Sequence, residues 1–176
     1  MQVVFHERAA IDPPWTSIAG VALGEGSLHR YLLAETDGIP RLRLELRHTH
    51  RDESWFRTQA IGWNGIFAIG FAERVYGVSP SGTETWRVDL PSYFAELRAQ
   101  GDRLLAASAQ EITCLDRRGT ILWRSEPLGI DGVVIGAVDD SVISGDGEWD
   151  PPGGWRPFAI SLADGRRVGN APSAAG

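Results

Sequence analysis

Several features that would point to a particular function are scarce in this sequence or missing from it. Cys114 is the single cysteine among 176 residues, so the chain cannot hold an intramolecular disulfide framework. No apolar run approaches the ~18 residues of a membrane span, and the first residues lack the basic start and long apolar stretch of a secretion signal. We therefore expect a cytoplasmic protein that makes no membrane contact.

Positive charge is also in short supply. The chain has 17 basic and 23 acidic residues, which gives a net charge of −6 and a pI near 5.2. Nucleic-acid affinity depends largely on cationic side chains that neutralise phosphates, so we do not expect a general nucleic-acid binder. The basic segment RLRLELRHTHR, Arg41–Arg51, is the one candidate for a local patch.

Motifs for covalent catalysis and for nucleotide binding are missing as well. The sequence has no G-x-S-x-G, and its glycines at 20, 24 and 26 do not make G-x-G-x-x-G. Cys114 falls in a predicted interior strand, where a cysteine acts as a small core residue rather than as a nucleophile. These absences favour a protein without a cofactor and without catalysis, apart from one metal-dependent alternative.

Glycine, in contrast, is abundant and recurs at regular positions. The phrases GVSPSGTETW and CLDRRGTILW each pass from strand-like residues through a polar turn to a tryptophan. Their turn glycines, Gly82 and Gly119, lie 37 residues apart. Weaker copies place Gly38 44 residues before the first and Gly165 46 residues after the second. A period near 40 residues is typical of the four-stranded blade of a β-propeller.

This period predicts an all-β fold: one small β-propeller-like domain, residues 1–176, built from about four repeats of four strands. The repeats are expected at residues 15–48, 57–88, 93–124 and 131–169, with a flexible tail at 170–176. Strands such as IFAI, LLAA and VVIGAV are apolar at consecutive positions, which predicts that both of their faces are covered. Asp89–Gly101 also fits a helix capped by Asp89, whereas the repeat register favours a strand from about Phe94.

The segment Ile112–Trp123 resembles the end of a repeat in the pyrroloquinoline-quinone-type (PQQ-like) β-propellers. That repeat closes with Leu-Asp, a turn ending in Gly, and a strand ending in Trp. The matching residues are Leu115, Asp116, Gly119 and Trp123. The resemblance implies a β-propeller-like fold. It does not imply the quinone, because the dehydrogenases that bind it use calcium, often have vicinal cysteines, and have more blades.

The repeated phrase has an architectural explanation. Its turn glycines allow positive φ, and its tryptophans bury large flat surfaces that fix how one blade meets the next. In the copy that ends at Trp86, Ser79 replaces the aspartate. Function is more readily expected where the period is interrupted, at Arg47–Arg57 and Asp146–Arg156, because loops on a rigid scaffold commonly bind ligands.

The interruption at Asp146–Arg156 combines two tryptophans with carboxylates at alternate positions. Aromatic side chains on a projecting loop are typical anchors of a protein interface. We therefore predict a non-catalytic interaction module, either a scaffold or an immunity-type inhibitor of a toxin, with a protein partner and with a homodimer as an option. The residues assigned to the interface are Trp149, Trp155, Asp146, Glu148, Asp150 and Trp55.

Metal binding is the alternative. His48 and His50 flank Thr49, so both imidazoles would face the same side of a strand, with Asp52 nearby. Imidazole and carboxylate ligands together suit Zn²⁺ and similar ions. This arrangement indicates a metal-dependent hydrolase or lyase. The segment Asp146–Asp150 also has the alternating carboxylates of a calcium loop, but Pro151 stands where that loop has glycine.

Overall fold

The computed structural model describes residues 3–49 and 56–168. In those residues the chain is almost entirely β-structure, with 15 strands and one short 3-10 helix, Trp15–Ser17. No helix within the described ranges is long and apolar enough to cross a membrane. The chain divides into two compact units, Met1–Val88 and Asp89–Gly176.

The first sheet of the first unit, sheet A, has the strand order β1-β3-β4-β2. Its strands are β1 (Val3–Arg8), β2 (Gly20–Gly24), β3 (Ser27–Thr36) and β4 (Ile39–His48). β1, β3 and β4 are antiparallel neighbours, whereas β2 runs parallel to β4. The predicted first repeat, 15–48, omits β1, because nothing before residue 15 matches the repeated phrase.

The second sheet of this unit, sheet B, has its strands in chain order. They are β5 (Thr58–Trp63), β6 (Ile66–Phe71), β7 (Arg74–Val78) and β8 (Glu84–Asp89). Every residue of β6 is buried, as its unbroken apolar sequence predicted. Asn64 and Gly65 form the predicted two-residue hairpin turn, with φ values of 47° and 78°. The core of the unit lies between the two sheets and contains Leu44, Leu46 and Phe71.

The second unit begins with sheet C, whose strand order is β12-β11-β10-β9. Its strands are β9 (Phe94–Gln100), β10 (Arg103–Ser108), β11 (Ile112–Leu115) and β12 (Ile121–Arg124). The strand interpretation of FAELRA is therefore confirmed over the helix. A bulge where β9 pairs with Ala107 and Ser108 explains the ambiguity. The extra residue lets Phe94 and Leu97, three apart, both be buried.

Sheet D follows, with the order β13-β14-β15. Its strands are β13 (Gly132–Val138), β14 (Val142–Glu148) and β15 (Trp155–Ser161). The predicted fourth strand, RRVG, makes only an isolated bridge between Arg167 and Ile160 within the described residues. Sheets C and D enclose the second core, which includes Ile112, Ile135 and Phe158.

Two expectations for sheet D are wrong. The apolar sequence of β13 predicted cover on both faces, but Val133 is buried while Val134 is 44% exposed. The segment Asp146–Arg156 is not an inserted loop over its whole length. Both of its ends belong to the paired strands β14 and β15, and only residues 149–154 connect them.

The turns of the repeated phrase have the expected geometry. Gly82 and Gly119 have φ values of 87° and 78°. The carboxylate of Asp116 accepts backbone N–H bonds from Arg118 and Thr120, both at 2.8 Å. In the other copy the Ser79 hydroxyl oxygen accepts the Thr83 N–H at 3.0 Å, so the substitution preserves the turn.

The two tryptophans of the phrase have different surroundings. Trp123 bridges sheets, because its indole N–H donates to the carbonyl of Leu162, which follows β15, at 3.1 Å. That contact confirms the predicted role between blades. Trp86 lies against Gly77 of the adjacent strand in its own sheet, where a β-carbon would come 2.2 Å from its ring.

Candidate functional site

One face of sheet D is buried and the other is exposed, because side chains alternate along each strand. The buried face packs on sheet C through residues such as Val133, Ile143 and Ile160. We call the other one the open face of sheet D. The residues of this face nearest the hairpin loop are Gly132, Val134, Asp146, Glu148, Trp155 and Pro157.

The register of the strands arranges the part of the open face nearest the hairpin loop in two rows. One row is Gly132, Glu148 and Trp155, and the other is Val134, Asp146 and Pro157. Side chains directly opposite each other on neighbouring strands lie in contact range. The two carboxylates on β14 are therefore flanked on both sides by apolar or glycine positions.

Trp155 extends across the sheet instead of standing away from it. A β-carbon at Gly132 would lie 3.0 Å from Cη2 of the indole, although Gly132 and Trp155 are on strands separated by β14. The ring therefore reaches over Glu148 towards β13. It is still 45% exposed, as is Val134 at 44%, so the face presents a broad apolar surface to solvent.

The carboxylates of the open face have no counter-ion among residues 3–49 and 56–168. Asp146 is exposed and forms no ion pair with a described residue. Glu148 Oε1 accepts the backbone N–H of Gly153 at 2.7 Å, which fixes this side chain beside the hairpin loop. Two unneutralised carboxylates on alternate positions of one strand make the face both apolar and negative.

The hairpin loop separates the two predicted tryptophan anchors. Trp149 donates its backbone N–H to the Gly154 carbonyl at 2.9 Å. The Arg156 guanidinium carbon lies 6.0 Å from the centre of the Trp149 ring. Because Arg156 alternates with Trp155, Trp149 and Arg156 share the side of the hairpin opposite the open face.

The interface residues assigned from the sequence thus fall into three groups. The structure brings Asp146, Glu148 and Trp155 together on the open face. Trp149 lies on the other side, Asp150 is exposed in the loop, and Trp55 lies outside the described residues. Sequence reasoning missed Val134 and Pro157. The signal for Val134 was present in VVIGAV, but it was interpreted as a buried position.

The predicted metal ligands are only partly visible. His50 and Asp52 lie outside the described residues. His48 ends β4 with its Nε2 3.4 Å from Glu73 Oε2 and its ring 4.7 Å from that of Phe56. No three His, Cys, Asp or Glu residues in the described ranges could hold a metal ion together. The metal site stays a prediction.

Cys114 has the core role that the sequence predicted. It is fully buried in the second core. Desolvation raises the pKa of its thiol to about 11, so at neutral pH it is protonated and a poor nucleophile.

The chain is similar to several solved structures. BamB from Moraxella catarrhalis matches with a TM-score of 0.55 and 17% identity, covering 88% of this chain and 50% of that chain. A protein of unknown function from Bacteroides caccae matches with a TM-score of 0.53 and 17% identity, covering 79% and 58%. BBS1N, crystallised in complex with ARL6DN, gives a TM-score of 0.48 and 14% identity, covering 65% and 39%.

These likenesses show the fold: the chain is all-β and β-propeller-like. It spans about half the length of the similar chains, from 39% to 58%. No protein-family model matches the chain, and no curated protein matches it.

Proposed function

We propose that this chain is a non-catalytic protein-interaction module that binds its partner through the open face of sheet D. The observation that carries the proposal is the pair of large exposed apolar side chains, Val134 and Trp155, on either side of β14. Single exposed apolar residues are ordinary in soluble proteins. Here they share one sheet face, and β13 has a sequence typical of a strand covered on both sides.

The same face suggests the chemistry of the partner. A partner has to cover the Trp155 ring and Val134 with apolar atoms, and it has to supply cations for Asp146 and Glu148. Buried carboxylates without counter-ions cost free energy, so a neutral or acidic partner surface would be rejected. The expected partner is a protein with a basic patch around an apolar centre.

We further propose that the chain is a PQQ-like repeat protein without a quinone, located in the cytoplasm, and acting as a scaffold or as an immunity-type inhibitor. The Asp116 and Ser79 turns and the Trp123 contact between sheets support the repeat type. The negative face suits an inhibitor of a basic protein. The metal-dependent alternative receives no support from the described residues, and we do not propose it.

Affinity measurements on one identified partner test the proposal. The partner is captured from the native host, identified, purified and titrated against wild-type protein and Trp155→Ala. We expect Trp155→Ala to weaken binding at least tenfold, because a large aromatic anchor commonly contributes about 2 kcal/mol or more.

Leu122→Ala is the matched control, because Leu122 on β12 is 48% exposed and lies outside the open face. Its affinity should equal that of the wild type. If Trp155→Ala and Val134→Asp both bind the partner as tightly as the wild type does, the open face is not the interface.

A further inference from the structure

We propose that the first unit binds a small aromatic carboxylate in a cavity between sheets A and B. This inference goes beyond the proposed interaction function, because the cavity lies in the first unit and uses no residue of the open face of sheet D. It is carried by a guanidinium without a counter-ion, a buried hydroxyl without a partner, and open space beside a glycine.

The cavity is formed by one end of sheet A and by the β5–β6 hairpin of sheet B. Its volume is about 610 Å³, which lies in the ordinary range for small-molecule sites. Val3 and Phe67 line it, and both side chains also pack in the core between the two sheets. The Phe67 ring is held edge-on by Phe5, with 5.3 Å between the ring centres. An aromatic ligand suits this wall, because aromatic rings pack on one another and bury apolar surface.

Arg41 supplies the positive charge of the site. In β4, Pro40 pairs with Glu35 and Leu42 pairs with Ala34, so Arg41 is the extra residue of a β-bulge. A bulge interrupts the alternation of a strand and commonly redirects a side chain next to a functional site. Arg41 lines the cavity, is exposed, and forms no ion pair with any residue in the described ranges.

No carboxylate competes for Arg41 inside the cavity. Arg41 is the one charged residue among the described residues that line it. Glu35 alternates with Ala34 of the core and so faces the other side of sheet A, where its Oε2 lies 3.4 Å from Nε2 of His6. Asp37, in the exposed turn after β3, does not line the cavity. One guanidinium suits a ligand with one negative charge, and a carboxylate accepts two parallel N–H bonds from it.

Thr36 gives a second, independent indication of a ligand. It ends β3 on the side that faces sheet B, lines the cavity, and is only 7% exposed. Its hydroxyl forms no hydrogen bond with any residue among 3–49 and 56–168. A buried hydroxyl without a partner costs free energy. An oxygen of a bound carboxylate would accept the hydrogen bond that this hydroxyl lacks.

Gly62 leaves the space that a ligand needs. It pairs with Phe67 and lies on the same face of β5 as Ala60, which packs against the core between the sheets. A β-carbon at position 62 would have no atom within 4 Å. Gly62 is not among the glycines with positive φ, so its backbone accepts other residues. A larger side chain at this position would therefore fill the cavity without strain.

The first test titrates the ¹⁵N-labelled full chain with 2-naphthoate, an aromatic carboxylate, and follows the backbone amides by NMR. The signals of Gly62 and Gly65, which line the cavity, should shift and saturate, while that of Gly119 in the second unit should not. A ligand of about 13 non-hydrogen atoms should bind with a Kd of about 1 mM or below. If the Gly62 and Gly65 signals do not shift at any concentration up to about 10 mM, the proposal is wrong.

The second test removes the charge from either side. Arg41→Gln should weaken binding of 2-naphthoate at least tenfold, because hydrogen bonds between charged groups are lost. The neutral analogue 2-naphthamide should bind the wild type equally weakly and should not distinguish it from Arg41→Gln. Arg118→Gln, an exposed change in the β11–β12 turn, should bind 2-naphthoate like the wild type. If Arg41→Gln binds 2-naphthoate as tightly as the wild type does, Arg41 does not hold the carboxylate.

The third test fills the cavity and leaves its charge in place. Gly62→Val should weaken binding of 2-naphthoate at least tenfold, and Gly62→Ala should weaken it less. The melting temperature of Gly62→Val should equal or exceed that of the wild type, because valine favours a strand more than glycine does. A folded Gly62→Val protein that binds 2-naphthoate with wild-type affinity would show that the ligand lies elsewhere.

Thr36→Val separates a role in binding from a role in folding. The change keeps the shape of the side chain and removes only its hydroxyl. Because that hydroxyl has no partner among the described residues, the melting temperature should stay the same or rise, while binding of 2-naphthoate should weaken. A lower melting temperature with unchanged binding would mean that the hydroxyl serves the fold, and it would contradict the site.

Discussion

At the scale of single residues, Gly165 and Trp123 show how two sheets are brought into close contact. Gly165 follows β15 with a φ of 73°, a backbone conformation that favours glycine. The Trp123 ring lies where a side chain at position 165 would begin, since a β-carbon there would be 2.5 Å from Cε3. The site therefore requires glycine for two independent reasons.

Gly165→Ala should lower the free energy of unfolding by about 3 kcal/mol, the sum of backbone strain and steric overlap with the indole. Gly38→Ala is the matched control, because Gly38 also has a φ of 73° but has no atom within 4 Å of the added β-carbon. It should cost only about 1 kcal/mol. Urea denaturation measures both, and equal losses would show that the indole contact adds nothing.

At the scale of elements, the sequence of β13 does not indicate which of its two faces is buried. Val133 and Val134 are adjacent and identical, yet Val133 is 1% exposed in the second core while Val134 is 44% exposed on the open face. The hydrophobic pattern does not distinguish them, because both faces of the strand are apolar.

Val133→Thr should lower the free energy of unfolding by about 1 to 3 kcal/mol, since it places a hydroxyl in an apolar core. Val134→Thr should change it by less than about 0.5 kcal/mol. Thermal or urea unfolding of the two variants gives the comparison. A similar loss for both would mean that the face we call open is covered within the chain.

At the scale of the whole molecule, three turns share one feature: an aspartate whose carboxylate accepts backbone N–H bonds and whose pKa is lowered. Backbone N–H groups of Ser141 and Val142 hold the pKa of Asp139 below its ordinary value, and the N–H of Arg166 does the same for Asp164. Desolvation raises the pKa of Asp116, but hydrogen bonds from Thr120 and Arg118 outweigh it, so the net shift is downward.

Stability should therefore decline in acid. A carboxyl with a lower pKa in the folded chain stabilises the fold above its unfolded pKa of about 3.9. This stabilisation is lost as the pH falls through the folded value. The free energy of unfolding should therefore decrease as the pH is lowered below about 4. Asp116→Asn combined with Asp139→Asn should make that fall shallower, as denaturation at a series of pH values would show. If the free energy of unfolding of this double variant declines with pH as steeply as that of the wild type, these two carboxylates do not cause the acid sensitivity.

Much of the local structure was predictable because it depends on neighbouring residues. Asn64-Gly65 allows positive φ at both turn positions, and the alternation of RLRLELR makes β4 a strand with one apolar face whatever it packs against. The candidate site was predictable only in part. Asp146, Glu148 and Trp155 were identified as polar and aromatic residues near a loop. Val134 was missed because exposure on a sheet face depends on a contact elsewhere in the molecule.

The sequence by itself determined the all-β character, the repeated turns and the strand at most positions, since these follow from backbone conformation and residue period. The tertiary structure alone decided which apolar face of β13 packs on sheet C, and which tryptophan of the last hairpin joins the open face. Phe94 and Leu97 share a side because of a bulge that only pairing with β10 creates. In each case the deciding term is the burial of one surface against another, and residues distant in sequence supply that surface.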